Sequence, residues 1–251
     1  MHARFYAPGA TASGQLVTLP PDEAEHLTRV MRLHAGDAVR VFDGRGLEFA
    51  AVVERAARDG ADVRLLEARA AAVEPRVQLT LAQAVLKADK MDDVVRDAVM
   101  MGVSAIIPVL ADRSEVSLPI LQRGHRQERW QRIAIVSAKQ CGRAVVPEIA
   151  EPRSFDALVA ELLMHVPDGE GLMFVEPGSA QAGRAAHLSG VGKPASARTL
   201  VMVGPEGGWS EREMTRASGV VPMVTLRGPT LRADVMSIVA MSALFAIWGE
   251  M

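Results

Sequence analysis

Strands and helices alternate from residue 77 onward, and no other feature of the chain narrows its fold as much. Residues 77–85 read as a strand. Asp89 then precedes Met91, Val94, Val95, Ala98 and Val99, the i, i+3, i+4, i+7, i+8 stripe of a half-buried helix, with Asp89 as its cap. Gly102 closes that helix, and residues 104–110 are a buried strand. Helical periodicity follows at 127–140 and 155–164, strands at 172–175 and 199–203, a helix at 211–217 and a strand at 221–226. Residues 234–248 close the chain as a helix apolar on every side, which belongs in a core or a subunit interface. This alternation implies a parallel α/β sheet, whose ligands sit at the carboxyl ends of the strands.

The first 70 residues read differently. Strands at 14–19, 38–42, 47–54 and 62–67 are spaced by tight turns, among them Asp43-Gly44-Arg45-Gly46 and Asp59-Gly60. One helix fits between them, from Pro21 with Asp22, Glu23 and Glu25 in its first turn to about residue 33, before Gly36. The pattern is that of a small β-barrel, joined by an Ala-rich linker at 68–76. Two domains are expected, at 1–70 and 77–251.

Composition excludes several classes. The lone Cys141 rules out a disulfide framework and a cysteine zinc cluster, and the six histidines are too dispersed for a metal site. The longest apolar stretches, 99–110 and 235–248, fall short of the roughly 18 residues that span a bilayer. No secretory leader is read at the N-terminus, so the expectation is a soluble cytoplasmic protein without metal or membrane. The formal net charge of -2 argues against a tail-driven nucleic-acid binder, yet it averages unlike segments. Residues 76–145 carry 11 basic against 7 acidic side chains, while 1–75 carry 9 against 11 and 146–251 carry 8 against 12. Within the basic segment Arg123, Arg126, Arg129 and Arg132 recur every three residues around Trp130. They make either a solvated helix face or a contact for RNA phosphates.

Three loops leave strand ends in the C-terminal half. One holds Val175, Glu176, Pro177 and Gly178; the second runs Gly204-Pro205-Glu206-Gly207-Gly208-Trp209-Ser210; the third contains Leu226, Arg227, Gly228, Leu231, Arg232, Asp234 and Met236. Glycines let the backbone approach a ligand closely. Ser210 caps a helix that opens with acid, which disfavours phosphate and suits a neutral or cationic ligand. Taken singly, each loop is also an ordinary tight turn. Gly190-Val191-Gly192-Lys193-Pro194-Ala195 spells a dinucleotide fingerprint, but no strand precedes it and Pro194 suits a loop.

These loops resemble those of the SPOUT superfamily of S-adenosylmethionine-dependent RNA methyltransferases. More narrowly, the chain resembles the ribosomal RNA small subunit methyltransferase E family along nearly its whole length. The matching residues are Arg4-Phe5, the His26 to Asp37 stretch with Arg32, Leu86-Lys87, Lys90-Met91, Gly102-Val103, Arg113-Ser114, Lys139-Gln140-Cys141-Gly142-Arg143, the Gly-Pro-Glu-Gly-Gly string at 204–208, and Leu231-Arg232. Two strings depart from the family pattern. Ala98-Val99-Met100-Met101-Gly102 replaces Ala-Thr-Glu-Leu-Gly, and Ala233-Asp234-Val235-Met236 replaces Thr-Glu-Thr-Ala.

The resemblance implies a PUA-like β-barrel that holds RNA, followed by an α/β domain tied in a C-terminal trefoil knot, and a homodimer. It implies methylation of uridine N3 in 16S rRNA of the 30S subunit. The alternatives are a related RNA methyltransferase with another RNA or a ribose 2′-hydroxyl as acceptor, or an RNA-binding protein that has lost activity. S-adenosylmethionine is expected among Val175, Glu176, Pro177, Gly204, Pro205, Gly207, Gly208, Leu226, Gly228, Leu231 and Met236. Arg4, His26, Arg32, Lys87, Lys90, Arg126, Arg129, Gln140 and Arg143 are expected to contact RNA. Arg232 is the candidate for stabilising a uracil anion, with Asp234 orienting it; the same pair also serves simply to hold the loop.

Overall fold

The computed structural model describes residues 3–123, 125–165, 171–178 and 185–251. The chain divides into two compact units. One comprises Met1–Glu74 and Ile135–Val146, the other Pro75–Ala134 and Pro147–Met251.

The first unit is a five-stranded sheet in the order β1-β3-β4-β5-β2. Its strands are β1 (Arg4–Tyr6), β2 (Leu16–Thr18), β3 (Ala38–Phe42), β4 (Glu48–Ala57) and β5 (Gly60–Arg69). Only β1 and β3 run parallel. Alternation sets the faces: Phe49, Ala51 and Val53 of β4 and Ala61, Val63 and Leu65 of β5 enter one core with Phe5, Val39 and Val41. Register shifts in β4, between Phe49 and Ala51 and between Val53 and Arg55, bend the sheet around that core.

The helix expected to run to residue 33 is shorter. α1 (Pro21–Glu25) passes directly into a π-helical turn, His26–Val30. The wider turn, closed by Met31 N–H donating to the His26 carbonyl, buries Leu27 but leaves Val30 and Met31 exposed. Arg32 then reverses the chain at φ 54°.

The segment from Ile135 completes this unit. The Arg4 guanidinium lies over the Phe42 ring and donates to the carbonyls of Ala138, Lys139 and Arg143 and to the Glu48 carboxylate. Lys139 pairs with Glu23 at 2.7 Å, and Arg143 pairs with Glu74.

The second unit is a parallel sheet built from β6 (Gln78–Ala84), β7 (Ala105–Leu110), β8 (Glu148–Ile149), β9 (Arg153–Ser154), β10 (Gly171–Phe174), β11 (Ala186–His187), β12 (Arg198–Val203) and β13 (Met223–Thr225). The order is β11-β13-β10-β12-β6-β7-β8, with β9 also on β7. The helices are α2 (Lys90–Met100), α3 (Leu118–Arg123), α4 (Arg126–Cys141), whose residues from Ile135 on belong to the first unit, α5 (Phe155–His165), α6 (Glu211–Ala217) and α7 (Ala233–Trp248).

α2 buries the predicted stripe of Met91, Val94, Val95, Ala98 and Val99. Asp89 stands at its N-cap position without a side-chain cap and instead accepts from Arg129. The run of arginines is split, because Arg123 belongs to α3 and the others to α4. α7 is not buried on every side. It packs Ser237, Ala240, Met241, Leu244 and Phe245 inward and exposes Val235 and Ile247. The Gly190–Ala195 region is a 3-10 turn followed by loop, fixed by the Trp248 Nε1–H donating to the Gly192 carbonyl at 2.9 Å. Among the described residues no helix is long and apolar enough to cross a membrane.

Candidate active site

Because β13, β10 and β12 are parallel neighbours, their carboxyl ends open side by side, and the three loops leaving them surround one cleft. It holds about 800 Å³ of space, part of it open to solvent. Phe174, Val203, Leu226, Leu231 and Met236 supply apolar walls. Trp209 braces two of the loops: its indole N–H donates to the Phe174 carbonyl at 3.0 Å, and its ring closes on Gly204. A Cβ on Gly204 would come within 3.2 Å of that ring. Gly208 holds φ +66°, and a Cβ there would lie 2.7 Å from Oε1 of Glu176. Glycine is therefore required both for the left-handed turn and for room beside the carboxylate.

Of the cleft's charged groups, Lys90, Glu206 and Arg232 are paired. Lys90 Nζ donates to Glu206 Oε1 at 2.9 Å, and the Lys87 backbone N–H reaches the same oxygen. Burial works to raise the Glu206 carboxyl, but the Lys90 hydrogen bond and backbone N–H donors outweigh it and hold the group below its ordinary value. Arg232 forks onto Asp234 through Nε at 3.1 Å and Nη2 at 2.7 Å. Asp234 is likewise held below the ordinary carboxylate value: burial raises it, and Arg232 and its own backbone N–H overcome that.

A second set of contacts fixes the middle loop from below. Ser210 and Glu213 form a reciprocal capping box at the start of α6. Glu213 also accepts the Asp112 N–H, Ser210 Oγ donates to the Asp112 carboxylate, and Arg113 donates to the Gly207 carbonyl at 2.6 Å.

All the predicted cofactor residues except Gly207 and Gly228 line the cleft, and so does Arg232. Gly207 packs against Arg113, while Gly228 makes its turn at φ +111°. Asp234 sits behind the cleft and grips Arg232. Trp209, Thr230 and Lys90 were not among the residues assigned to the cofactor, and all three line the cleft. Trp209 had a visible signal, an aromatic between Gly208 and Ser210 in a strand-end loop.

Lys90, expected to meet RNA, lines the cleft and pairs with Glu206, and the other residues expected to meet RNA divide into four groups. Arg4 and Arg143 are used inside the first unit: their guanidiniums are almost wholly buried on Glu48, Glu74 and backbone carbonyls, so they hold the fold rather than offer charge. Lys87 and Arg129 are exposed but paired, with Glu115 and with Asp89 and Asp92. His26 packs edge-on to Phe5, and burial followed by nearby Lys139 pushes its pKa down, so it is neutral at pH 7. Arg32, Arg126 and Gln140 make no ion pair or side-chain hydrogen bond among the described residues, and Arg32 and Gln140 are exposed.

Comparison with known proteins agrees with this architecture. Residues 73–245 match the family model for an RNA methyltransferase domain, and residues 19–66 match that for an RNA methyltransferase PUA domain. The fold and cleft are thus those of an RNA methyltransferase. The ribosomal RNA small subunit methyltransferase E of Synechocystis is 31% identical over 92% of this chain and 73% of its own. The crystal structure of the enzyme of that name from Neisseria gonorrhoeae, bound to S-adenosyl methionine, is 30% identical. It covers 99% of this chain and 98% of its own with a TM-score of 0.86. A Legionella pneumophila methyltransferase structure, in complex with bound cofactor SAM, is 28% identical with 98% of each chain covered and the same TM-score of 0.86. The chain belongs to the ribosomal RNA small subunit methyltransferase E family.

Proposed function

We propose that this protein transfers a methyl group from S-adenosylmethionine to N3 of a uridine in 16S rRNA within the 30S subunit. The carrying observation is the cleft at the ends of three adjacent strands, with a carboxylate-held arginine at its edge. Its donor set fits the cofactor. Flat apolar walls suit an adenine, while Glu176 and Glu206 suit its positive centres. The helix after the middle loop begins with Glu211 and Glu213, which turns anions away. When bound, S-adenosylmethionine supplies an electrophilic methyl group.

The protein's part is to present the base and favour its anion. Uracil N3–H is too weak an acid to ionise at neutral pH, so a fixed cation beside it aids loss of the proton to the solvent that reaches the open cleft. Arg232 is that cation: it lines the cleft, its side chain is 70% exposed, and Asp234 fixes its fork. Orientation of the base against the methyl supplies much of the remaining rate. The base must leave its stack to enter the cleft. The N-terminal domain, residues 1–70, holds the surrounding RNA and residues 77–251 perform the transfer. Arg32, Arg126 and Gln140, whose side chains make no ion pair or hydrogen bond among the described residues, are the candidates for direct RNA contact.

Two further assignments belong to this reading. The β10–β12 crossover and the passage from β13 back to α7 support a knot, since α7 leaves the far side of β10 and ends against Gly192 and Lys193 of that crossover. The exposed apolar side of α7, with Val235 and Ile247, supports a homodimer, and the setting is the cytoplasm.

Mass spectrometry of 16S rRNA from cells lacking the gene tests the reaction. An N3-methyluridine should disappear, return with the wild-type gene, and not return with Arg232→Ala. Its persistence in the deletion strain, or loss of a 2′-O-methyl mark instead, would overturn the assignment. Purified Arg232→Ala should still bind S-adenosylmethionine by calorimetry while single-turnover methylation falls roughly hundred-fold. No binding of the cofactor by the wild type would favour an RNA-binding protein without activity.

A further inference from the structure

The floor of the cleft covers a polar contact with no part in the chemistry described so far. Gln83 lies on the central strand β6 and Ser237 on α7, and both are 0% exposed. The Gln83 amide Nε2 donates to the Ala84 carbonyl at 2.9 Å, which turns Oε1 toward α7, where the Ser237 hydroxyl donates to it. A flipped amide would set oxygen against the Ala84 carbonyl, so the donor is Ser237. Ser237 also reaches the Ala233 carbonyl, 3.2 Å away and one turn back, the usual fallback of a helical serine. Gln83 Oε1 has no other donor among the described residues.

Both residues border the cleft through their neighbours. Gln83 pairs in register with Val203, the last residue of β12 before the Gly-Pro-Glu-Gly-Gly loop. Ser237 follows Met236, and Val203, Ala233 and Met236 all line the cleft. We infer that Gln83 and Ser237 are a positioning pair: their hydrogen bond sets the rotation and height of the start of α7 against the central strand. It thereby holds Leu231, Arg232 and Met236 in place for cofactor and base. This rests on the reading of the cleft as the cofactor site. Aliphatic side chains of equal volume would fill the same space, but a hydrogen bond accepts one register where apolar packing accepts several.

The test removes both polar groups at once. Ser237→Ala alone strands a buried acceptor and should lower the melting temperature. Gln83→Met combined with Ser237→Ala removes the stranded side-chain acceptor, at the cost of the Nε2 bond to the Ala84 carbonyl, and its melting temperature should recover at least to that of Ser237→Ala. In that double variant the amides of residues 231–237 should nonetheless exchange with deuterium faster than in the wild type. Calorimetry should show S-adenosylmethionine binding about ten-fold more weakly. A double variant that exchanges and binds as the wild type does would overturn the positioning role. So would one that melts below Ser237→Ala, since the contact would then be structural. Failure of the wild type to bind the cofactor would count against the reading of the cleft, and exchange in the ligand-free protein would still decide the pair.

Discussion

At single residues, the cleft is shaped by what is left out as much as by what is present. Gly208 is the sharpest case. Its left-handed backbone strains any other residue by about 1–2 kcal/mol, and a Cβ would press on the Glu176 carboxylate, the mobile end of a side chain. Gly208→Ala should therefore fold, melt a few degrees lower, and bind S-adenosylmethionine distinctly more weakly as Glu176 is displaced. Unchanged affinity in calorimetry would mean that Glu176 takes no part in binding. Arg232 shows a different economy. Its exposed side chain loses freedom when held, and the fork from Asp234 fixes it before any substrate arrives. The shorter acid at 234 reaches both guanidinium nitrogens, so replacing the family's Glu here keeps the arginine clamped.

Among the elements, α6 depends most on its first residue. Ser210 caps it, Glu213 returns the cap, and both also hold the end of β7 through Asp112. Ser210→Ala should cost more than the ~1 kcal/mol of an ordinary cap, because the Asp112 carboxylate loses a donor as well. Denaturant unfolding measures this, and a loss below 0.5 kcal/mol, on the order of an exposed surface change, would show that Asp112 contributes nothing through Ser210.

This element was legible in the sequence because a cap is local: a serine directly before an acid-rich helix start marks where the helix begins, whereas the return bond from Glu213 is visible only in the structure. The stripe of α2 was legible for the same reason, as a period within one helix. The π-helical turn at His26–Val30 was not, since Leu27 and Val30 obey the spacing of an ordinary helix and only packing selects the wider turn. Nor was the outer side of α7, whose composition is apolar all round but whose burial depends on what covers it. Arg4 and Arg143 misled for a related reason. A cation meant for a buried carboxylate is spelled the same as one meant for a phosphate, and only its long-range partners tell them apart.

For the whole molecule, the homodimer proposed above rests on the exposed apolar side chains of α7. Ile247 is 46% exposed on α7, so Ile247→Glu should leave the monomer fold intact while sedimentation velocity shows a shift from dimer to monomer. A dimer unaffected by that change would place the contact elsewhere. The arginine near the start of the chain has a consequence of another kind. Arg4 is buried against carbonyls that belong to residues 138, 139 and 143, so the first unit lacks its closing piece while the ribosome is still making β6 and β7. The opening third of the polypeptide must wait, half-assembled, for a segment synthesised well after its own last strand. A nascent chain stalled before Ile135 should therefore be markedly easier for a protease to cut in its first 70 residues than one stalled beyond Val146.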